Sequence, residues 1–237
     1  MSNEGRSARG WAERLDARAR RVVESSTGEN MIRHLSVADW LSLAALFWAW
    51  VGAVLFVQGE PNWGILAVLV GFVFDKLDGY YAREYGSPSA FGRRVDSFID
   101  VFTYLVSAAL LYHVAMRPNW VASAVVGFVV LMFGGLRLVR HNDEGFVGDG
   151  EGEEKAGTSY YRGTTVVHTH LVVLANYFLL QFVPVWNGWL AGLTIVAVCP
   201  LMTSEYRAQK TEDAHLQVAV GGAVAVGLCL ALEFGPL

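Results

Sequence analysis

The stretch DKLDGYYAREYGSPSAFGRRVDSFID, residues 75–100, sets four aspartates into two runs that otherwise read as membrane helices. Upstream lies ILAVLVGFVF (65–74) and downstream VFTYLVSAALLY (101–112), each continuing toward the ~20 mostly apolar residues that a spanning helix needs. An ionised aspartate at the centre of such a helix costs roughly 2.5 to 3.5 kcal/mol on insertion scales, so four of them require a compensating partner. Asp75, Asp78, Gly79 and Ala82 fall on one stripe of the first helix, and Gly92, Asp96 and Asp100 on one stripe of the second. Two carboxylate pairs can therefore face each other. Like charges ~4 Å apart repel by about 4 kcal/mol at an effective dielectric near 20, so the quartet either holds protons or binds cations. Hard oxygen donors suit Mg²⁺ or Mn²⁺, and two such ions can share these four side chains.

Gly79, Ala82 and Gly92 leave room beside the acids for a bulky ligand to approach the backbone, and Arg83 offers a planar donor fork suited to phosphate. A metal-bridged pyrophosphate fits such a site. The competing reading is an intramembrane ion-pair network of the four acids with Lys76, Arg83, Arg93 and Arg94. Glycines contribute nothing to ion pairing, and Arg94 points away from the acid stripe.

Outward from this hairpin, the rest of the chain agrees with a membrane. Of 237 residues, 54% are hydrophobic and 17% charged, which is not the balance of a soluble domain. Helices are expected at residues 36–58, 61–85, 92–115, 120–140, 164–183, 186–203 and 216–234, giving an all-α, polytopic bundle of six or seven transmembrane helices over residues 35–237. Lys and Arg are retained on the cytoplasmic side. Alternation places the basic residues of the N-terminal arm, Arg83, Arg93, Arg94, Arg137, Arg140, Lys155, Arg162, Arg207 and Lys210 on that side, with Arg117 opposite. The opposite loops carry Trp63, Trp120, Trp186 and Trp189, and Pro61-Asn62-Trp63 recurs as Pro118-Asn119-Trp120 at two helix starts. The site then faces the cytoplasm from the plasma membrane.

In the arm, residues 1–34, Trp11, Leu15, Val22 and Val23 recur at helical spacing among arginines, describing an amphipathic helix on an anionic leaflet; a solvated basic arm is the alternative. Residues 143–160 read as a flexible acidic cytoplasmic loop. Eighteen basic against 22 acidic residues leave a net charge of −4 and no basic excess for a nucleic-acid partner. Cys199 and Cys229 lie in apolar runs without metal-ligand spacing, as packing residues.

Read as a pattern, Asp75-x2-Asp78-Gly79-x2-Ala82-Arg83-x8-Gly92-x3-Asp96-x3-Asp100 resembles the signature of the CDP-alcohol phosphatidyltransferases, with eight fixed residues matched over 26 positions. The resemblance implies that Asp75, Asp78, Asp96 and Asp100 hold two divalent cations, Mg²⁺ or Mn²⁺, and that Asp100 deprotonates the acceptor hydroxyl. It implies that Asp78, Gly79, Ala82 and Arg83, with Gly92, line a CDP site. The reaction would join an alcohol to the lipid-side phosphorus of CDP-diacylglycerol or CDP-archaeol, releasing CMP in phospholipid biosynthesis. A homodimer is expected by the same likeness.

Two further segments bear on the acceptor. LRLVRHN (136–142) resembles the LRLARFN stretch of the phosphatidylserine synthase branch, and LMTS (201–204) followed by Lys210 resembles that branch's LMVS-x5-K segment. Both favour serine, with glycerol phosphate or inositol phosphate as alternatives. Val139 and His141 depart from the branch, and YRGTT (161–165) lacks the proline of its FxGLP element. Arg137 and Arg140 share one helical face at the cytoplasmic end and are the acceptor-site candidates, suited to a carboxylate or a phosphate; positive-inside anchoring is their plainer role. His168 could reach the same cavity, or serve as a packing residue, and Asn176 is expected to satisfy an interhelical hydrogen bond. A cation transporter or channel is the non-enzyme alternative, but it predicts acids spread through the membrane depth.

Overall fold

The computed structural model describes residues 35–85, 90–144, 160–209 and 212–235, so the N-terminal arm and most of the acidic loop, 145–159, lie outside the described residues. The chain divides between Ser36 and Val37 into two units, and the second, Val37–Leu237, carries the described helices. Its helices are α1 (Val37–Val57), α2 (Pro61–Tyr85), α3 (90–116), α4 (Trp120–Glu144), α5 (Val166–Phe182), α6 (188–203) and α7 (Glu212–Phe234). The described elements match the helices expected from the apolar runs, with ends displaced by a few residues. Three departures are local. Helix α3 is α-helical over Ala90–Asp100, widens to π-helix over Val101–Val106 and again over Tyr112–Met116, and α6 ends in a tighter 3₁₀ turn, Cys199–Thr203. A short antiparallel ribbon, β1 (Tyr160–Arg162) with β2 (Arg207–Gln209), pairs Tyr161 with Ala208 where only loops were expected.

Among the described residues, three helices are long and apolar enough to cross a membrane: Val37–Val57, Gly92–Met116 and Trp120–Asp143. Helix α2 has the length, 25 residues, but its last three turns carry Asp75, Lys76, Asp78, Arg83 and Glu84. The apolar stretches Val166–Phe182, Gly188–Thr203 and Val218–Phe234 are shorter. Large apolar side chains face outward, among them Trp40, Phe47, Trp50 and Val57 on α1 and Trp120, Val121, Val125 and Phe128 on α4, as expected for surfaces that meet hydrocarbon.

With apolar groups on both sides of every helix, close backbone approach and interhelical hydrogen bonds hold such a bundle together. Helices α1 and α2 pack along their length. The buried face of α1 is Ser42, Ala45, Ala49, Gly52 and Phe56, a stripe at helical spacing whose first four residues are small. A Cβ added at Gly52 would lie 2.7 Å from Val68 Cγ2, and one at Gly71 3.0 Å from the Ala45 carbonyl oxygen, so the two backbones nearly touch. The interior is filled by Phe56, Ile65, Leu105, Leu111, Tyr112 and Ile195, with Cys199 and Cys229 buried and unpaired with each other, as packing residues.

Asn176 makes the interhelical bond expected of it: its Oδ1 accepts from Thr194 Oγ1 on α6 at 2.8 Å and from Trp186 Nε1 at 3.1 Å. Such bonds contribute about 0.6 kcal/mol each on average in a membrane bundle. The repeated Pro-Asn-Trp triplets start two helices but diverge in role. Asn119 caps α4 by accepting from the Ala122 amide at 2.9 Å. Asn62, one residue inside α2, instead accepts from Tyr177 Oη at 2.7 Å and donates to Glu233, which also takes Trp63 Nε1 at 2.9 Å; this cluster ties α2 to α5 and α7.

Candidate active site

The C-terminal turns of α2 and the first turns of α3 bring acids from two helices together. Oxygens of Asp75, Asp78 and Asp96 lie within 4.8 Å of one another, the first two residues buried and the third exposed. Oxygens bound to one octahedral Mg²⁺ at ~2.0–2.1 Å stand about 2.9 Å apart when adjacent and about 4.2 Å when opposite, so side-chain rotation that draws these three inward would let them share an ion. Hard, anionic oxygens are also the donor chemistry such a cation takes. A bound cation would offset the mutual repulsion of the three acids; among the described residues one ammonium faces them, Lys76 Nζ, 3.0 Å from Asp75 Oδ2 and seated over the Phe72 ring. That contact is the part of the competing ion-pair network that the described side chains contain.

Asp100, one turn beyond Asp96 on the same stripe, is half-buried and outside the trio whose oxygens converge. It remains in electrostatic reach of Asp75 and Asp96, and of Arg137 across on α4. A carboxylate beside a cation site, but not enclosed in it, keeps an oxygen available for a proton.

Two of the acids are held from behind by groups the sequence did not single out. Ser42 Oγ, on α1, donates to Asp78 Oδ2 in a short hydrogen bond. Tyr104 Oη donates to Asp75 Oδ2 at 2.7 Å. Tyr104 continues the Asp96–Asp100 stripe by one further i+4 step, which is a signal the sequence carries. Ser42 has no such signal, because its partner depends on how α1 and α2 are registered.

Gly79 and Ala82 lie half-buried on α2 beside Asp78, and Gly92 on the first turns of α3. Arg83 stands on the last turn of α2, and its side chain lies outside the described part of the molecule. Of the two arginines on α4, Arg137 is buried and in electrostatic reach of Asp100, His141 and His168. Arg140 is directed elsewhere. Its Nη1 donates to the Thr203 carbonyl at 3.0 Å and its Nη2 to the Met202 carbonyl at 3.1 Å, with Glu205 3.9 Å away. A guanidinium there satisfies carbonyls that the end of a helix leaves without intrahelical partners.

The segment Arg140 grips is also gripped from the start of α5. Gly163 has φ +70° and donates its amide to the Tyr206 carbonyl at 2.6 Å, while Thr164 N–H reaches the Leu201 carbonyl at 3.1 Å. Thr165 caps α5, accepting from the His168 amide, and its hydroxyl lies 2.6 Å from His168 Nδ1. Residues 136–142, 161–165 and 201–204 thus meet in one assembly, to which Ser97 Oγ also anchors α3 by donating to Asn142 Oδ1 at 3.2 Å. A Cβ at Gly163 would stand 2.6 Å from the Met202 carbonyl oxygen. Gly163→Ala is expected to destabilise the protein by more than the ~1–2 kcal/mol of left-handed strain alone, lowering the thermal midpoint in detergent by several degrees; an unchanged midpoint would show that the loop relaxes freely.

Comparison with known proteins matches residues 35–199 to the profile of the CDP-alcohol phosphatidyltransferases. The chain is 27% identical over 172 residues to the archaetidylserine synthase of Methanothermobacter thermautotrophicus, covering 72% of this chain and 68% of that protein. It is 34% identical over 96 residues to a CDP-diacylglycerol–serine O-phosphatidyltransferase of Methanocaldococcus jannaschii, covering 36% of this chain and 47% of the relative. A protein of the same description from Mycobacterium tuberculosis is 29% identical over 86 residues, 36% of this chain and 30% of that one. The matched stretch thus spans about two-thirds of the first relative, half of the second and a third of the third.

Proposed function

The chain belongs to the CDP-alcohol phosphatidyltransferase family, and on that premise we propose that it transfers the phosphatidyl-type group of a CDP-linked lipid to the hydroxyl of serine, releasing CMP. The observation that carries this reading is the convergence of Asp75, Asp78 and Asp96 at facing helix ends, within the full eight-residue pattern. Serine as acceptor is supported by the relatives whose names specify it.

The residues divide the work as follows. Asp75, Asp78, Asp96 and Asp100 hold two divalent cations, Mg²⁺ or Mn²⁺, which when bound neutralise the pyrophosphate and stabilise the departing CMP. Asp78, Gly79, Ala82, Arg83 and Gly92 receive the CDP moiety, small residues admitting the nucleotide and Arg83 pairing with phosphate. Asp100 takes the proton of the serine hydroxyl as its oxygen attacks the lipid-side phosphorus and the phosphoanhydride bond to CMP breaks. Arg137, near Asp100, receives the serine carboxylate, and Arg140 supports the acceptor side by holding the 202–204 carbonyls in place. Six or seven helices span the plasma membrane with the site toward the cytoplasm, a reading supported by the distribution of basic residues, and a second copy of the chain is the partner that the family likeness implies.

Acids gathered at one end of two helices, with Lys76 bound to one of them, do not form the depth-spread pathway of a cation transporter. The test is CMP release by the purified chain given CDP-diacylglycerol or CDP-archaeol with serine, glycerol phosphate or inositol phosphate in separate reactions. Serine-dependent release is expected. Release with a phosphorylated acceptor and none with serine would retain the chemistry and overturn the acceptor.

A further inference from the structure

Helix α3 changes geometry immediately after Asp100, and the change places Tyr104. An α-helix advances ~100° per residue, so each i+4 step drifts about 40° around the axis. The wider turn of Val101–Val106 advances less per residue and offsets that drift, so Tyr104 stays over the Asp96–Asp100 line facing α2. The Ser107 amide bonds the Phe102 carbonyl, five residues back. Side chains attend to the carbonyls that follow: Ser107 Oγ donates to Thr103 O in a short bond, and His170 Nδ1 lies 3.1 Å from Tyr104 O. A carbonyl only accepts, so Nδ1 carries the imidazole proton.

The phenol ring is held on both sides, edge-on to Phe72 (centroids 6.3 Å apart) and to His170 (6.0 Å). It is 2% exposed, and its hydroxyl is committed to Asp75 Oδ2. Lys76 donates to the same oxygen. Among the described residues, both donors to Asp75 therefore act on one oxygen, which fixes the carboxylate's plane and leaves Oδ1 for the cluster.

We propose that Tyr104, braced by His170 on the π-helical turn of α3, is a positioning residue that orients Asp75 toward the ions shared with Asp78 and Asp96. This rests on the metal-holding reading of the trio given above. Outer partners of ligating groups typically change metal affinity by about 10–100-fold when removed. Tyr104→Phe keeps the ring and its packing and deletes the donor.

The experiment is a titration of Mn²⁺ into the purified full chain in detergent, with free Mn²⁺ read by electron paramagnetic resonance and no substrate present. Tyr104→Phe should bind Mn²⁺ about 10–100-fold more weakly, with a thermal midpoint in EDTA close to that of the unaltered protein, and turnover should recover as Mg²⁺ is raised. Affinity within about twofold of the unaltered protein, alongside loss of binding in Asp78→Asn, overturns the role of Tyr104 and leaves the proposed function standing. No Mn²⁺ binding by the unaltered protein overturns both. Should Tyr104→Phe not fold, His170→Ala, which frees the Tyr104 carbonyl, should weaken Mn²⁺ binding in the same direction, and unchanged binding there overturns the bracing.

Discussion

Asp100→Asn is expected to lower the rate of CMP release by about 10²–10⁴-fold, the range that a positioned general base supplies. The amide retains the shape of the carboxylate and its place in the helix, so the bundle should still form, but it cannot accept the hydroxyl proton. Because Asp100 lies outside the trio whose oxygens converge, its loss should disturb ion binding less than loss of a trio member. The measurement pairs turnover with CDP affinity, and the expected result is a collapse of the first with the second largely retained. Near-normal turnover would remove the base assignment. A parallel collapse of Mn²⁺ affinity, as deep as that of Asp78→Asn, would make Asp100 a ligand first.

Asp78→Asn carries the second large effect. Asp78 is buried, receives Ser42 Oγ, and shares its oxygen cluster with Asp75 and Asp96. Removing its charge should weaken the proposed cation site, and loss of one such electrostatic partner costs about 10²–10³-fold in turnover. Excess EDTA on the unaltered protein should stop transfer altogether, and Mg²⁺ or Mn²⁺ should restore it. Activity persisting under chelation would defeat the reading of the acids as cation holders, since three carboxylates so close together would then need another explanation for their charge.

What the sequence discloses follows from the range of the interactions involved. The acids of α2 and α3 announce themselves because helical spacing is local: once 75–85 and 92–100 are helices, each stripe is determined, and a short connection forces the stripes to face. Tyr104 is the next i+4 step along that stripe but is not among the candidates singled out from sequence, and the π turn that keeps it in line is not legible, since VFTYLV reads as ordinary apolar helix. Ser42 was hidden. Its bond to Asp78 depends on the contact of Gly52 and Gly71 with the facing backbone, a long-range registration no local pattern encodes. Arg140 was visible as a partner of Arg137 on one face, but its destination required the 3₁₀ end of α6 to present the carbonyls of Met202 and Thr203. The three-residue strands around Gly163 are too short for an alternation pattern and form only once α5 and α6 bring their ends together.

The most direct test of the central claim is a crystal of the full chain grown with Mn²⁺ and measured at the manganese absorption edge. Anomalous density is expected between Asp75, Asp78 and Asp96, ~2.0–2.3 Å from their oxygens, with a second peak toward Asp100. Density absent from that cluster, with manganese found elsewhere or nowhere, would contradict it.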